Sequence, residues 1–198
     1  MKKNISDRDF KLATIISTYF GIGFARICPG TAGSLMTFPL CFVINFLLLK
    51  ANVATLTELS ICYALILIFI SMLAFWAVDV YISKNNKDDP SEVVIDEVIG
   101  QLIAYMIPTI LTLYYFMYPM IYLVQNPSFT TLIIILLLIL PIGFFRLFDI
   151  LKPGLVGYFD SKVKGATGII MDDVIAGLYA GIVVSLINTL LIISVVLY

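Results

Sequence analysis

Long apolar runs alternate with short charged segments along the whole chain. Five of these runs are as long, or nearly as long, as the roughly 20 residues that a helix needs to cross a bilayer. They are Gly33–Leu49, Leu59–Val78, Val98–Leu123, Thr130–Phe145 and Val174–Tyr198. The pattern predicts an all-α integral membrane protein, a helical bundle of about five apolar helices that forms a single domain over residues 1–198.

The composition agrees with this class and narrows the chemistry. Hydrophobic residues make up 61% of the chain and charged residues 13%, whereas soluble domains average about 45–50% apolar residues. The net charge of −1 argues against a broad basic surface, so we expect no nucleic-acid partner. The sequence contains no histidine, which excludes a Ser-His triad, histidine phosphotransfer and a histidine-bound zinc site. The Cys-x5-Arg and Asp-x-Asp-Thr/Val motifs of two phosphatase mechanisms are missing as well, so any phosphate chemistry here would use carboxylate-bound metal and water.

The charged residues gather on one side of the predicted bundle. All basic residues except Lys50 fall within Met1–Ala32, Asp79–Glu97 and Arg146–Asp173, and the positive-inside rule places these segments in the cytoplasm. Twelve of the thirteen acids fall on the same side, all but Glu58, although acids contribute little to orientation. We therefore expect a cytoplasmic N-terminus and a working face on the cytoplasmic side.

Two acidic pairs lie at the N-terminal ends of predicted apolar helices. Asp96-Glu97 precedes the third run, and Asp172-Asp173 precedes the fifth. Carboxylates beside hydrocarbon are costly unless they bind a cation, and clusters of oxygen ligands suit magnesium or manganese. The alternative is a pair of solvated helix ends, where acids favour the N-terminal dipole. Because that alternative does not explain two matching pairs, we predict a divalent-metal site at the membrane surface.

Small residues follow each acidic pair at helical spacing. The motifs are Gly100-x-x-x-Ala104 and Gly177-x-x-x-Gly181, and such spacing lets two helices approach closely in lipid. Contact at these motifs would bring the two acidic pairs together.

The segment Asp89-Pro90-Ser91-Glu92 has the composition of a helix start. Asp89 suits an N-cap, Pro90 the first helical position, and Glu92 a capping box. We therefore expect a helix that begins there and carries Asp96 and Glu97 on its second turn.

Two other segments carry groups suited to phosphate. In the turn before the first run, Arg26 supplies charge while Thr31 and Ser34 supply hydroxyls, and the backbone amides can hold an anion. After the fourth run, Arg146 and Lys152 can bind phosphate. The alternatives are a simple Pro-Gly turn that caps a helix and ordinary anchoring to lipid headgroups.

Four further charged residues lie near these segments. Asp149 is a further ligand candidate. We prefer headgroup anchoring for Lys162 and Lys164, and Asp160 fits either role.

The sequence resembles the phosphatidylglycerophosphatase A family, bacterial membrane phosphatases of phospholipid synthesis. The matching blocks occur in family order and are Cys28 to Leu35, Asp89 to Gly100, Phe145-Arg146 with Asp149, Lys152 and Pro153, and Gly165 to Gly177. Two positions depart from the family pattern, Cys28 in place of alanine and Ala166 in place of the second glycine of a pair. The second departure would matter if the turn there needed positive φ.

The resemblance implies an all-helical fold, Mg²⁺ dependence, and hydrolysis of phosphatidylglycerophosphate to phosphatidylglycerol and phosphate at the bacterial inner membrane. The phospholipid in the bilayer is then the expected partner, and oligomeric state is left open. The residues expected to act in catalysis are Asp96, Glu97, Asp149, Asp172 and Asp173. The expected metal ligands are Asp89, Asp96, Glu97, Asp149, Asp172 and Asp173. The expected phosphate-binding residues are Arg26, Thr31, Ser34, Arg146 and Lys152.

Two other functions are weighed against this one. A CDP-alcohol-type phosphatidyltransferase also uses acids at a membrane face, but its Asp-x-x-Asp-Gly-x-x-Ala-Arg signature is missing. A small membrane cation transporter would place acids deep within its spans, whereas these acids lie at one end.

Overall fold

A computed structural model describes residues 5–53, 55–116 and 138–197. In these ranges the chain forms seven α-helices and a short 3₁₀ turn, and no β-strand is present. The helices are α1 (Asp7–Ser17), α2 (Pro29–Lys50), α3 (Leu56–Asn85), α4 (Ile95–Phe116), α5 (Leu140–Leu151), α6 (Leu155–Lys162) and α7 (Ala166–Leu197), and the 3₁₀ turn is Ile22–Phe24. The all-α prediction is confirmed for the described part of the chain.

Within the described residues, three helices are long and apolar enough to cross a membrane: Pro29–Lys50, Leu56–Asn85 and Ala166–Leu191. They correspond to the first, second and fifth apolar runs. Helix α4 contains most of the third run, and α5 contains the end of the fourth. The end of the third run and the beginning of the fourth fall within residues 117–137, which lie outside the described residues. The chain is therefore a membrane protein, and the total of five spans stays a prediction.

Helices α4 and α7 cross at the predicted small residues. A Cβ atom on Gly177 would lie 2.9 Å from the carbonyl carbon of Gly100, and one on Gly100 would lie 2.5 Å from the carbonyl oxygen of Asp173. Below the crossing, Ala104 of α4 and Ala176 and Ala180 of α7 are completely buried in one cluster. The small-residue contact is thus confirmed, and it places both acidic pairs one turn above a backbone-to-backbone contact.

The start of α4 differs from the prediction. The helix begins at Ile95 rather than after Asp89, so the first acidic pair lies in its first turn. Tertiary contacts override the local capping pattern because the Val94 amide donates to the carbonyl of Ser17 at the end of α1 (2.9 Å). Glu92, the expected capping-box residue, instead forms an ion pair with Lys87 (2.6 Å).

The lone acid on the other side of the bundle has a structural role. Thr55 caps α3, and its hydroxyl accepts a hydrogen bond from the Glu58 amide (3.2 Å) while the Glu58 carboxylate accepts from the Thr55 amide (3.1 Å). This reciprocal capping box satisfies two helix-end donors. Glu58 therefore serves the start of α3, far along that helix from the end that faces the acidic pairs.

Candidate active site

A polar cleft of about 290 Å³ opens where α4 and α7 begin and α5 ends. Asp96 and Glu97 reach it from the first turn of α4, and Asp172 and Asp173 from the second turn of α7. Asp96, Asp172 and Asp173 are almost completely buried, with 9%, 9% and 4% of their surfaces exposed. The structure therefore brings the two acidic pairs together at one end of the bundle.

Glu97 is held by partners from two other helices. Its Oε2 atom accepts a hydrogen bond from the Ser34 hydroxyl (3.1 Å) and forms an ion pair with the Arg146 guanidinium (2.5 Å). Its carboxylate also lies directly over Gly30, where any Cβ atom would collide with it. The Pro-Gly turn at the start of α2 thus provides a surface against which the Glu97 side chain is fixed.

Arg146 connects the same network to α5. Its guanidinium donates to Asp149 (2.5 Å) as well as to Glu97, and a third contact reaches the Thr31 hydroxyl (3.3 Å). Among the described residues, those that line the cleft include Glu97 and Asp149 but not Arg146, Thr31 or Ser34. Three of the expected phosphate-binding residues therefore lie beside the cleft without lining it: Arg146 and Ser34 contact Glu97, and the exposed Thr31 contacts Arg146.

Lys152 lies at the cleft surface with two carboxylate partners. It ends α5 in a left-handed conformation (φ 47°), and its Nζ pairs with Asp160 and lies 3.4 Å from Oδ2 of Asp172. Burial disfavours the Lys152 charge, but the two carboxylates outweigh it, so the pKa of Lys152 is raised. Among the described residues that line the cleft, Lys152 is the one expected to bind phosphate.

The two remaining expected residues, Asp89 and Arg26, differ in their position relative to the cleft. Asp89 lines the cleft together with its neighbour Asp88. Arg26 is exposed and is absent from the described residues that line the cleft. The sequence reasoning overlooked Asp88 as a cleft residue, although its position beside Asp89 was an available signal.

The cleft carries a strong excess of negative charge. Eight of the described lining residues are acidic and two are basic: Asp88, Asp89, Asp96, Glu97, Asp149, Asp160, Asp172 and Asp173 against Lys152 and Lys164. Burial, reinforced by the Glu97 and Asp172 carboxylates, raises the pKa of Asp96 well above its ordinary range. Burial also raises the pKa of Glu97 to about 7, against the opposing effect of Arg146. Bound cations would relieve this repulsion.

The donor chemistry fits a hard divalent cation. The Oδ1 atom of Asp96 is buried and has no hydrogen-bond partner, and carboxylate oxygens are the ligands that Mg²⁺ takes in proteins. With the side chains as placed, no three acidic or cysteine residues of the described ranges enclose a metal position. Such a cage is not required, because Mg²⁺ keeps several waters and binds through one or two carboxylates.

The turn before α7 accommodates the departure noted at Ala166. Positive φ falls on Gly165 (75°), while Ala166 is the first, buried residue of α7. Alanine is a strong helix former. The substitution therefore carries no backbone strain at this turn.

Comparison with known sequences identifies the family of this chain. A sequence model of the family described as phosphatidylglycerophosphatase A matches residues 15–188, which include every acid of the cleft. The chain belongs to the phosphatidylglycerophosphatase A family. It is accordingly an enzyme, a phosphatase of this family.

Similar proteins from three bacteria bear phosphatase names. A Bacteroides thetaiotaomicron protein, provisionally named phosphatidylinositol-3-phosphatase, is 30% identical over 88% of this chain and 92% of its own length. The phosphatidylglycerophosphatase A of Escherichia coli is 28% identical over 82% of this chain and 76% of its length. That of Haemophilus influenzae is 58% identical over 40 residues, 20% of this chain and 24% of its length. No solved structure matches the chain.

Proposed function

We propose that this phosphatase hydrolyses phosphatidylglycerophosphate to phosphatidylglycerol and phosphate, with Mg²⁺ as cofactor, at the cytoplasmic face of a bacterial inner membrane. The observation that carries the proposal is the convergence of the two acidic pairs in one cleft, with Lys152 beside Asp172. An anionic substrate would be repelled by a cleft so rich in acids unless a cation accompanied it.

The carboxylates of Asp96, Asp172 and Asp173 would hold the cation, with Glu97, Asp149 and Asp89 at the edges of the same cleft. Bound Mg²⁺ supplies positive charge that neutralises phosphate oxygens and acidifies water. Arg146 holds Glu97 and Asp149 in fixed orientations, so these acids meet the substrate already positioned. Lys152 offers a positive charge to the phosphate, and a carboxylate that does not ligate the cation accepts the proton of the attacking water.

The substrate choice rests on the family and on two of the three named relatives. The name of the Bacteroides relative points to phosphatidylinositol 3-phosphate. Both lipids carry a phosphomonoester on a headgroup that a phosphodiester joins to diacylglycerol, so the same cleft chemistry applies to either. We favour phosphatidylglycerophosphate because the family match covers nearly the whole chain.

The two other functions are less consistent with these findings. The family match is to a phosphatase rather than to a phosphatidyltransferase. The acids cluster at one end of the described helices, whereas a transport path for cations requires acids at membrane depth.

The test is phosphate release by the purified protein in detergent, with each lipid offered separately and with EDTA or Mg²⁺. We expect release from phosphatidylglycerophosphate that EDTA stops and Mg²⁺ restores. Asp173→Asn should abolish release without loss of folding, because it removes a buried anionic ligand. Asp9→Asn is the matched control, since Asp9 is an exposed acid on α1 outside the cleft. Faster release from phosphatidylinositol 3-phosphate would reassign the substrate, and full activity of Asp173→Asn would refute the site.

A further inference from the structure

Lys164 is part of the cleft wall, although the sequence favours a lipid-anchoring role for it. It lies in the turn between α6 and α7, and its side chain is exposed at the rim of the cleft. Lys162, two residues earlier, is also exposed but is not among the described residues that line the cleft. The two lysines therefore have different surroundings despite their proximity in sequence.

The backbone fixes Lys164 relative to the acids of α7. The Gly165 carbonyl accepts a hydrogen bond from the Ile169 amide (3.2 Å), and Gly165 adopts a positive φ that glycine tolerates. The Val163 carbonyl packs against Gly168 so closely that a Cβ there would lie 2.9 Å from its carbon. These two contacts join the turn that contains Lys164 to the first turn of α7. Asp172 follows about 9 Å farther along the axis from the start of α7, at 1.5 Å per residue.

The other cations near the cleft are already engaged. Arg146 forms ion pairs with Glu97 and Asp149. Lys152 pairs with Asp160 and lies near Asp172. For Lys164, by contrast, the described parts of the chain offer neither an ion pair nor a hydrogen bond. Of the two lysines that line the described cleft, Lys164 is therefore the one whose charge is not offset by a carboxylate partner.

We propose that Lys164 binds a phosphate group of the lipid substrate. This inference rests on the proposed function and adds a substrate-binding residue to it. A lysine ammonium is a compact charge on a flexible stem, which suits a phosphate at the rim without a fixed approach direction. The proposed substrate carries two such groups, the phosphodiester next to the lipid and the terminal phosphomonoester, and the shared chemistry is a phosphate oxygen.

The experiment compares Lys164→Gln, Lys164→Arg and the control Lys162→Gln in the full-length protein. It measures kcat and KM for phosphatidylglycerophosphate in mixed micelles, inhibition by inorganic phosphate, and thermal unfolding. We expect Lys164→Gln to weaken phosphate recognition about fivefold, as for a solvent-exposed ion pair of about 1 kcal/mol. Lys164→Arg should retain most of the recognition, and Lys162→Gln should match the wild type.

The kinetic constants distinguish the two phosphates. A higher KM with unchanged kcat and unchanged inhibition by phosphate assigns Lys164 to the phosphodiester. A lower kcat together with weaker inhibition by phosphate assigns it to the phosphomonoester. The inference is overturned if Lys164→Gln differs from the wild type by less than twofold in all three constants, or if Lys162→Gln has the same effect.

Failure of the proposed function gives a different result. In that case the wild-type protein releases no phosphate from the lipid, and binding of inorganic phosphate and of phosphatidylglycerophosphate micelles to the wild type and Lys164→Gln still decides the role of the lysine. Equal affinity of the two proteins for both ligands would then overturn it, and about fivefold weaker binding of either ligand by the variant would support it.

Discussion

The crossing of α4 and α7 makes Gly177→Ala a sensitive perturbation of the cleft. The added Cβ would lie 2.9 Å from the carbonyl carbon of Gly100 and 3.0 Å from its Cα, whereas carbon atoms pack best at about 3.5–4.0 Å. The Gly100 carbonyl oxygen lies nearer still, so the helices must separate by about 1 Å at the crossing. Because the neighbouring atoms are backbone, no side-chain rotation can relieve the contact.

This separation acts directly on the site, since the acids of both pairs lie one turn from the crossing. Overpacking of a tight contact typically costs about 1–3 kcal/mol of unfolding free energy. A displacement of about 1 Å in a catalytic arrangement can lower the rate about 100-fold. We expect Gly177→Ala to lose about 100-fold in turnover, about 2.7 kcal/mol of activation free energy, while the protein remains folded.

The assay is phosphate release from phosphatidylglycerophosphate beside thermal unfolding in the same detergent. Gly143→Ala on α5 is the matched control, because Gly143 is exposed and a Cβ there meets nothing within 4 Å. It should keep full activity and gain slightly in stability, since alanine is a better helix former than glycine. Wild-type activity in Gly177→Ala would refute the link between the helix crossing and the acids.

Two other predictions address the residues around the acids and the role of the bilayer. Arg146→Lys should lower turnover about 10-fold or more, because a lysine cannot hold Glu97 and Asp149 together as the guanidinium does. Arg26→Lys, outside the cleft, should have no effect, and equal turnover of the two variants would contradict the positioning role. A soluble phosphomonoester should show a much lower kcat/KM than the lipid, because it is not concentrated beside the site by the membrane. Equal values for the soluble and lipid substrates would contradict this.

Some features of the site are visible in the sequence because local patterns encode them. Each acidic pair and its glycine lie within two helical turns, so hydrophobic periodicity and small-residue spacing predict both the helices and their contact. The all-α class follows from the length and apolar character of the runs.

Other features depend on contacts between distant parts of the chain. The start of α4 shifts from Asp89 to Ile95 because Val94 donates to Ser17, 77 positions earlier in the sequence. Arg146 looks like a phosphate ligand from its charge alone, but carboxylates of two helices hold it behind the cleft surface. Lys162 and Lys164 look equivalent in sequence, and only the turn into α7 separates their environments.

In the proposed mechanism the two acidic pairs jointly hold one cationic centre. Binding of Mn²⁺, as a stand-in for Mg²⁺, to the purified protein tests it most directly and can be followed by electron paramagnetic resonance without substrate. We predict that the wild type binds Mn²⁺ and that Asp96→Asn and Asp173→Asn each weaken binding at least about 10-fold, since the lost carboxylates come from different helices. Wild-type affinity in either variant, or no Mn²⁺ binding by the wild type, would contradict the claim.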